Sequence, residues 1–570
     1  MRIALLQLGS RLADPEANGQ TIERAYQDAI TQGAQLVLTP EMAVPGYLAE
    51  DRLWEAGLRQ RVQRESERLA RMSGPVPLLI GTFSPAPSGR LWNEVWWCEQ
   101  GRVRSITRKR ILPDYDIFDE ERYFDADLDT QPLVEYLGER VGVSICEDMW
   151  ANPDLAPGPI RYPFDPVDDL AKSGATLLLN ASASPGNLGS YLPEGRSAPW
   201  AVPAKLALRR RILTGHATKH GLPFAYACRV GSESWLTFDG GSGLVQPDGT
   251  WQGAELFQEE CRIVDTSTSG TAWPLDLSEG TYLRRALGMG LQENLAKQGL
   301  EAVVVGLSGG IDSAVVAAMA AESIGPKRVL GVALPTRYTS AESLALAEEQ
   351  AKTLGIHYLT LSADEPFTGA EKALQGVFPN RTFSLTDENI QSRSRGLLLM
   401  ALTSEPDVHR MLDSSRVAVL NTGNKSEAAT GYFTLYGDGI GAFGILGDCL
   451  KARVFALARE LGEAVPLGVI ERKPTAELRP NQTDEASLLP YTQLDAILGA
   501  VLEARREEDT LAEDLALLLD GPALEQARSA LPRILRLLRN SEFKRRQLPF
   551  ALKVTPWAFG RGRRIPLTGL

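Results

Sequence analysis

The stretch SGGIDSA, Ser308 to Ala314, follows the apolar run Ala302 to Leu307 and precedes the apolar stretch Val315 to Ala321. That order reads as strand, glycine-rich turn, helix, the local signature of an α/β layer fold. Such a turn aims backbone N–H groups and the positive end of a helix dipole at one point, and the bare Gly309 and Gly310 let the backbone come close to what sits there. Nucleotide phosphate is the expected occupant. The stretch lacks the GK[ST] ending of a Walker P-loop, so no lysine stands ready for a γ-phosphate, and Asp312 lies where a metal ligand would be useful. Two glycines alone would suit any tight strand-to-helix turn; the flanking serines, the aspartate and the strand-helix context together favour phosphate.

Outward from this turn the alternation continues. Downstream, Val329 to Leu334, Tyr358 to Leu361 and Val417 to Leu420 read as strands, and upstream a helix is expected around Leu283 to Lys297. Gly369 to Thr386 is polar and weakly patterned and reads as a mobile loop, whereas Tyr491 to Leu538 is dominated by helical patterning. Toward the N-terminus, Ile3 to Leu6, Leu36 to Leu38, Val76 to Ile80, Val141 to Ile145 and Leu177 to Leu179 read as short strands of a second α/β layer structure. Between the halves, TSTSGTAWPLDLS (Thr266 to Ser278) has linker composition. The expected domains are therefore 1–265 and 283–570, joined by a linker at 266–282.

Composition narrows the function classes. A chain of 570 residues exceeds one ordinary core, in keeping with two large domains. No run approaches the roughly 18 consecutive apolar residues of a membrane span, and the N-terminal MRIALLQLGS lacks the parts of a signal peptide, so a soluble cytoplasmic protein is expected. Five scattered cysteines (Cys98, Cys146, Cys228, Cys261, Cys449) form no CxxC pair and point to neither a disulfide framework nor zinc. The net charge of -12 disfavours a general nucleic-acid binder, although Lys544, Arg545 and Arg546, then Arg561, Arg563 and Arg564, leave a basic C-terminal run. Only that run would suit a nucleic-acid reading, and no binding motif accompanies it.

Three positions in the N-terminal half stand out: Glu41 in LTPEMAVPGY, Lys109 in RKRILPDYDIFDEERYF, and Cys146 at the end of VGVSI, in VSICEDMW. Singly, each has an ordinary reading: a buried thiol, a helix-start carboxylate, a solvated cation. Jointly and in this order they resemble the nitrilase superfamily, specifically its glutaminase branch. The resemblance implies an α-β-β-α sandwich in which Cys146 is the nucleophile, Glu41 the general base and acid, and Lys109 the stabiliser of the oxyanion. With four histidines in the whole chain, a glutamate base removes the need for a Cys-His pair. By the same resemblance Tyr115, Glu120 and Ser184 fall at glutamine-side positions, with Glu120 a supporting second glutamate. Where the family has a G-[KR] pair this chain has Gly189 and Ser190, which shifts the expected holder of the glutamine carboxylate to Arg196.

The SGGIDSA turn itself resembles the PP-loop of the ATP pyrophosphatases, which activate a carboxyl oxygen by adenylation. Downstream, VALPTRYTS (Val332 to Ser340), ENIQSRSRGLLLM (Glu388 to Met400), NTGNKSEAATGYFTLYGDGIG (Asn421 to Gly441), KPTAELRPNQTDE (Lys473 to Glu485) and EFKRRQLPF followed by WAFGRGRRIPL resemble NAD synthetases. Over nearly the whole chain the two halves together resemble the glutamine-dependent NAD synthetase family. The resemblance implies a doubly wound α/β domain with a parallel sheet. In it Gly306, Leu307, Ser308, Gly309, Gly310, Ile311, Asp312 and Ser313 hold ATP phosphates, and Arg337 and Thr422 also contact ATP. Lys451 faces the pyrophosphate or the developing negative charge. Asn389, Asp438 and Lys544 contact deamido-NAD. Asp312 and Glu427 would hold Mg²⁺, while Glu427 is also a family contact to the dinucleotide, and both roles stand. Homo-oligomers, dimers or octamers, are implied as well. Other readings are a PP-loop amide synthetase with a different carboxylate acceptor, and an N-terminal half serving only as a structural or oligomerisation module.

Overall fold

The computed structural model describes residues 1–156, 161–273, 277–472, 477–479 and 488–567. Contacts divide the chain into two compact units, the first made of Met1–Gly186, Ala204–Glu233 and Thr237–Asp276, the second of Asn187–Pro203, Ser234–Leu236 and Leu277–Leu570. Of the expected linker, Pro274, Leu275 and Asp276 lie outside the described residues. The helix expected around Leu283 runs Glu279–Lys297, because the Ser278 hydroxyl caps it by accepting from Thr281 N at 3.1 Å.

The strands of the first unit are β1 (Arg2–Gln7), β2 (Leu36–Leu38), β3 (Leu78–Pro85), β4 (Leu91–Glu99), β5 (Arg102–Arg108), β6 (Val134–Tyr136), β7 (Glu139–Ile145), β8 (Leu177–Ser182), β9 (Phe224–Cys228), β10 (Val230–Glu233), β11 (Leu236–Asp239), β12 (Gly243–Val245), β13 (Trp251–Gly253) and β14 (Glu260–Asp265). One six-stranded sheet runs β14-β1-β2-β3-β4-β5 and the other β13-β12-β9-β8-β7-β6, while β10 and β11 pair separately. Each large sheet has a parallel centre, β1-β2-β3 and β7-β8-β9, flanked by antiparallel strands. Strand alternation explains how the sheets join. Ile3, Leu5, Leu36, Leu38 and Leu79 of one sheet share a core with Val141, Val143, Ile145, Leu177, Leu179 and Ala225 of the other. The opposite face of the second sheet, with Leu178, Phe224 and Tyr226, is covered by Val167 and Leu170 of the helix Pro166–Lys172 and by Ile212, Leu213 and Ala217 of the helix Lys205–His220. The helix Ala56–Met72 packs on β3 of the first sheet. This is the α-β-β-α sandwich.

The second unit is built on β15 (Ala302–Gly306), β16 (Val329–Ala333), β17 (His357–Thr360), β18 (Val417–Asn421) and β19 (Phe443–Gly444). They form a five-stranded sheet in the order β17-β16-β15-β18-β19, parallel throughout. The sequences AVVVG, VLGVA and VAVLN are continuous apolar runs, as strands covered on both faces must be. The chain moves outward from β15 to β17, then returns to the other side of β15 as β18. The switch point therefore lies between β15 and β18, where doubly wound sheets open a crevice at their strand ends.

One expectation fails. Gly369 to Val377 is not loop but the C-terminal part of the helix Asp364–Val377, and the helix Leu385–Leu402 follows it. Gly369 and Gly376 obscure the helix in sequence, and only Phe367 of it is deeply buried, but Ala-Glu-Lys-Ala-Leu-Gln is a strong helix-forming run. The C-terminal helices Tyr491–Leu498, Glu508–Asp514 and Gly521–Asn540 share a core of Leu494, Leu498, Leu511, Leu531 and Leu535. Among the described residues no helix is long and apolar enough to cross a membrane.

Candidate active sites

In the first unit, Glu41 follows β2, Lys109 follows β5, Cys146 follows β7 and Ser184 follows β8. Lys109 is wholly enclosed, and its Nζ donates to Glu41 Oε1 at 2.7 Å and to Glu120 Oε1 at 2.8 Å. Burial works against the ammonium, but the Glu120 and Glu41 carboxylates outweigh it and hold Lys109 well above the ordinary lysine value. Glu41 is fixed further by Asn93 Nδ2 at 2.8 Å and Ala183 N at 3.0 Å, and Glu120 accepts from the Tyr47 hydroxyl at 2.6 Å. Burial and the Glu41 charge push the Glu120 carboxyl up to about 7, with Lys109 opposing.

Cys146 stands at the elbow between β7 and the turn Cys146–Trp150, with φ at 43°. A non-glycine residue in the left-handed region stores strain, and such positions gather at functional sites. Burial and the Glu41 carboxylate push its thiol well up, with Lys109 opposing. The elbow is held by Asp148, which accepts from Ile145 N at 2.9 Å, Arg110 N at 3.0 Å and Ile111 N at 2.9 Å, binding the Cys146 turn to the loop of Lys109. Burial pushes the Asp148 carboxyl up to about 6 against those hydrogen bonds.

Glu41, Lys109, Glu120 and Cys146 thus come together. Tyr115 lies one step away, donating to Glu147 at 3.1 Å, where Tyr162 also donates at 2.8 Å. Ser184 is buried directly after Ala183, whose N–H meets Glu41. Arg196 does not join this group: its Nη1 donates to Asp520 at 3.2 Å inside the second unit. The cation the sequence reading missed is Lys205, 3.6 Å from the Trp150 ring centroid. Burial holds its ammonium below the usual value, while Glu147 and Cys146 pull the other way, so it senses both residues that follow β7. No signal in the sequence separates it from a surface lysine at the start of a helix. Cys228 is a buried thiol against Arg209, whose guanidinium pairs with Asp239.

In the second unit, SGGIDSA leaves β15 and opens the helix Ile311–Ile324. Gly309 has φ at 73°, and a Cβ there would stand 2.4 Å from the Ser343 carbonyl oxygen, so only glycine fits. Ser313 Oγ accepts from Ser308 N at 3.2 Å and donates to Gly310 O at 3.0 Å, closing the turn. Beyond the switch point, NTGNKSE follows β18. Asn424 caps the helix Lys425–Thr430 and donates from Nδ2 to Asp312 Oδ1 at 3.0 Å. Thr422 is half-buried between Asn421 and Gly423 on that same segment. The Lys451 ammonium bonds to Asp312 Oδ2 and lies 3.8 Å from Glu427 Oε1.

Two carboxylates thus converge on one cation beside a phosphate-type turn. Mg²⁺ takes one or two carboxylates and completes its shell with phosphate and water, so Asp312 and Glu427 fit it, and the ammonium marks where positive charge is welcome. Among the described residues no group of three or more His, Cys, Asp or Glu forms a self-sufficient metal cluster.

Asn389, Asp438 and Lys544 gather at a further point. Thr434 Oγ1 donates to Asn389 Oδ1 at 2.8 Å, Thr434 N and Ser392 Oγ donate to Asp438 Oδ1 at 2.9 and 2.6 Å, and Lys544 Nζ donates to Gly431 O and Phe433 O at 2.9 and 2.8 Å. Burial lowers the Lys544 ammonium's pKa, opposed by the Asp438 charge. Arg337 is engaged elsewhere, with Asp364 at 2.9 Å and Glu371 at 3.3 Å. Of the KPTAELRPNQTDE motif, Lys473 to Ala476 and Pro480 to Glu485 lie outside the described residues.

A sandwich with a Cys-Glu-Lys centre and a doubly wound unit with a PP-loop define a two-part, amide-handling, ATP-using enzyme. Residues 2–272 match the carbon-nitrogen hydrolase family and residues 283–548 the NAD synthase family. Glutamine-dependent NAD(+) synthetases from Synechocystis and Rhodobacter capsulatus are 35% and 36% identical, each over 99% of this chain and 98% of the relative. The solved glutamine-dependent NAD+ synthetase from Acinetobacter baumannii, in complex with ADP, is 31% identical with a TM-score of 0.73, covering 99% of this chain and 98% of that one. The chain belongs to the glutamine-dependent NAD synthetase family.

Proposed function

We propose that this chain converts deamido-NAD to NAD with ATP as the activating substrate and glutamine as nitrogen donor. The observation that carries the reading is the presence in one chain of a thiol-carboxylate-ammonium centre and a PP-loop at a switch point. At the first centre Cys146 sulfur attacks the glutamine side-chain amide while its proton passes to Glu41. The oxyanion forms against Lys109, Glu41 returns the proton to nitrogen, and ammonia leaves. Water, deprotonated by Glu41, then cleaves the thioester to glutamate. Glu120 supports the Lys109 charge. Tyr115 and Ser184 line the glutamine side, and Lys205 is the cation for its carboxylate, in place of Arg196.

At the second centre a nicotinate carboxylate oxygen attacks the ATP α-phosphorus and pyrophosphate departs. Ammonia then attacks the acyl carbon of the mixed anhydride, the carbon–oxygen bond breaks, and AMP is released with NAD. Gly306 to Ser313 cradle the phosphates with Thr422, Arg337 joins them on leaving Asp364 and Glu371, and Lys451 receives charge on pyrophosphate. Mg²⁺ on Asp312 and Glu427 would neutralise and orient the phosphates. Asn389, Asp438 and Lys544 hold the dinucleotide, with Glu427 within reach of the same task. The glutaminase chemistry falls to the sandwich unit and the synthetase chemistry to the doubly wound unit, which also takes in Asn187–Pro203 and whose helix Glu279–Lys297 begins inside the expected linker 266–282. The chain works in the cytoplasm as a homo-oligomer, with small molecules rather than nucleic acid or membrane as partners.

The test is product analysis with deamido-NAD, ATP, Mg²⁺ and glutamine or ammonia as nitrogen donor. NAD, AMP and pyrophosphate in equal amounts is the expected result. ADP with phosphate, or no turnover of deamido-NAD with any nitrogen donor, would refute the reading and direct attention to another carboxylate acceptor.

A further inference from the structure

Glu503 is a wholly buried carboxylate that the chemistry above does not use. It ends the π-helical turn Gly499–Glu503, a rare distortion that concentrates where a helix must deliver a side chain out of register. Its oxygens accept from Lys425 Nζ at 2.9 Å, from Arg453 Nη1 at 2.8 Å and from Tyr191 N at 2.8 Å.

Two of these donors belong to the elements that build the candidate phosphate and metal centre. Lys425 opens the helix that carries Glu427 and whose cap, Asn424, holds Asp312. Arg453 lies in the helix Lys451–Leu461, whose first residue reaches both Asp312 and Glu427. One carboxylate therefore ties the two helices to each other. The third donor lies in the strap Asn187–Pro203, which follows Ser184-Pro185-Gly186 in the chain and is part of the second unit. Arg453 Nη2 also grips this strap, donating to Gly189 O at 2.7 Å. At the other end of the π turn, a Cβ on Gly499 would stand 2.9 Å from the Tyr191 carbonyl oxygen, so the turn is seated directly on the strap.

We propose that Glu503 is a positioning residue of the synthetase centre, seated on the strap Asn187–Pro203 of the same unit. This rests on the functional reading above. Through Lys425 and Arg453 this carboxylate bears on the two helices that aim Asn424, Glu427 and Lys451 at Asp312. Lys425 keeps Asp448 at 2.8 Å, and Arg453 keeps Glu279 at 2.7 Å, when the Glu503 charge is removed, so the buried cations retain counter-charges.

The experiment uses full-length Glu503→Gln, Glu503→Asp and Arg453→Lys. Glu503→Gln should lower kcat for ammonia-dependent NAD formation by about ten- to a hundred-fold, the scale expected when reacting groups are misplaced. KM for deamido-NAD and the rate of glutamine hydrolysis should stay within about two-fold, since neither substrate touches this carboxylate. Glu503→Asp should recover most of kcat. Arg453→Lys keeps a cation for Glu503 but cannot serve Gly189 O as well, and it should lower ammonia-dependent kcat with KM for deamido-NAD within about two-fold. Wild-type ammonia-dependent kcat in Glu503→Gln, or a parallel fall of both half-reactions with the melting temperature in all three variants, would overturn the proposal. Wild-type protein that makes no NAD from ammonia would be a different result and would defeat the functional reading itself.

Discussion

Lys109 illustrates how much a single residue can hold in place. An ammonium buried between Glu41 and Glu120 is costly to enclose and costly to lose, because removing it strands two buried carboxylates. The pair of acids keeps the lysine charged, the lysine holds Glu41 in place, and the strained Cys146 elbow stands in the same group. Lys205 is the test of substrate recognition. Lys205→Met should raise KM for glutamine by about ten- to a hundred-fold, the value of a charged hydrogen bond, while kcat with saturating glutamine and all ammonia-dependent activity hold. A fall in kcat at unchanged KM would place Lys205 in the chemistry rather than in binding. The triad was legible in sequence because each member sits inside a distinctive motif. Lys205 was not: what sets it apart is the Trp150 ring and the nearby charge of Glu147, whereas Arg196, the one cation the sequence suggested, donates to Asp520.

At the scale of elements, the strand-turn-helix around SGGIDSA carries most of the argument. Its left-handed Gly309 leaves no room for a side chain, so Gly309→Ala should cost at least about 1–3 kcal/mol of local strain. It should also raise KM for ATP, whereas glutamine hydrolysis in the other unit is unaffected. Titration of ATP and a thermal melt read both, and an unchanged KM for ATP would remove the turn from the nucleotide site. The turn was legible because local sequence alone dictates it. The helix Asp364–Val377 was not, since its apolar stripe is reduced to Phe367 and its glycines imitate a loop.

For the molecule as a whole, stability should carry the mark of Asp495. This buried acid accepts from Ser426 Oγ at 2.5 Å and Ala452 N at 2.7 Å, and burial pushes its carboxyl up to about 7 against those hydrogen bonds. Its unfolded value is near 3.8. Between these values the folded protein keeps a proton that the unfolded chain has lost. The contribution is therefore complete below the unfolded value and is lost as pH rises toward about 7, with a slope of up to about 1.4 kcal/mol per pH unit. Asp495→Asn, which copies the protonated acid, should flatten the dependence of melting temperature between about pH 5 and about pH 7.5; an unaltered slope would show that Asp495 does not titrate there. At this scale the sequence announced two α/β layer structures, but not that Asn187–Pro203, lying within the first half of the chain, packs with the second unit. Local pattern carries no information about a long-range partner such as Glu503. The central claim is that two chemistries, ammonia release and amide formation, reside on separate residues of one chain. Its most direct test is NAD formation by wild type and Cys146→Ala with glutamine or ammonia as donor. The account predicts that wild type uses both and Cys146→Ala uses ammonia alone at an undiminished rate. Glutamine-dependent NAD formation surviving in Cys146→Ala would contradict it.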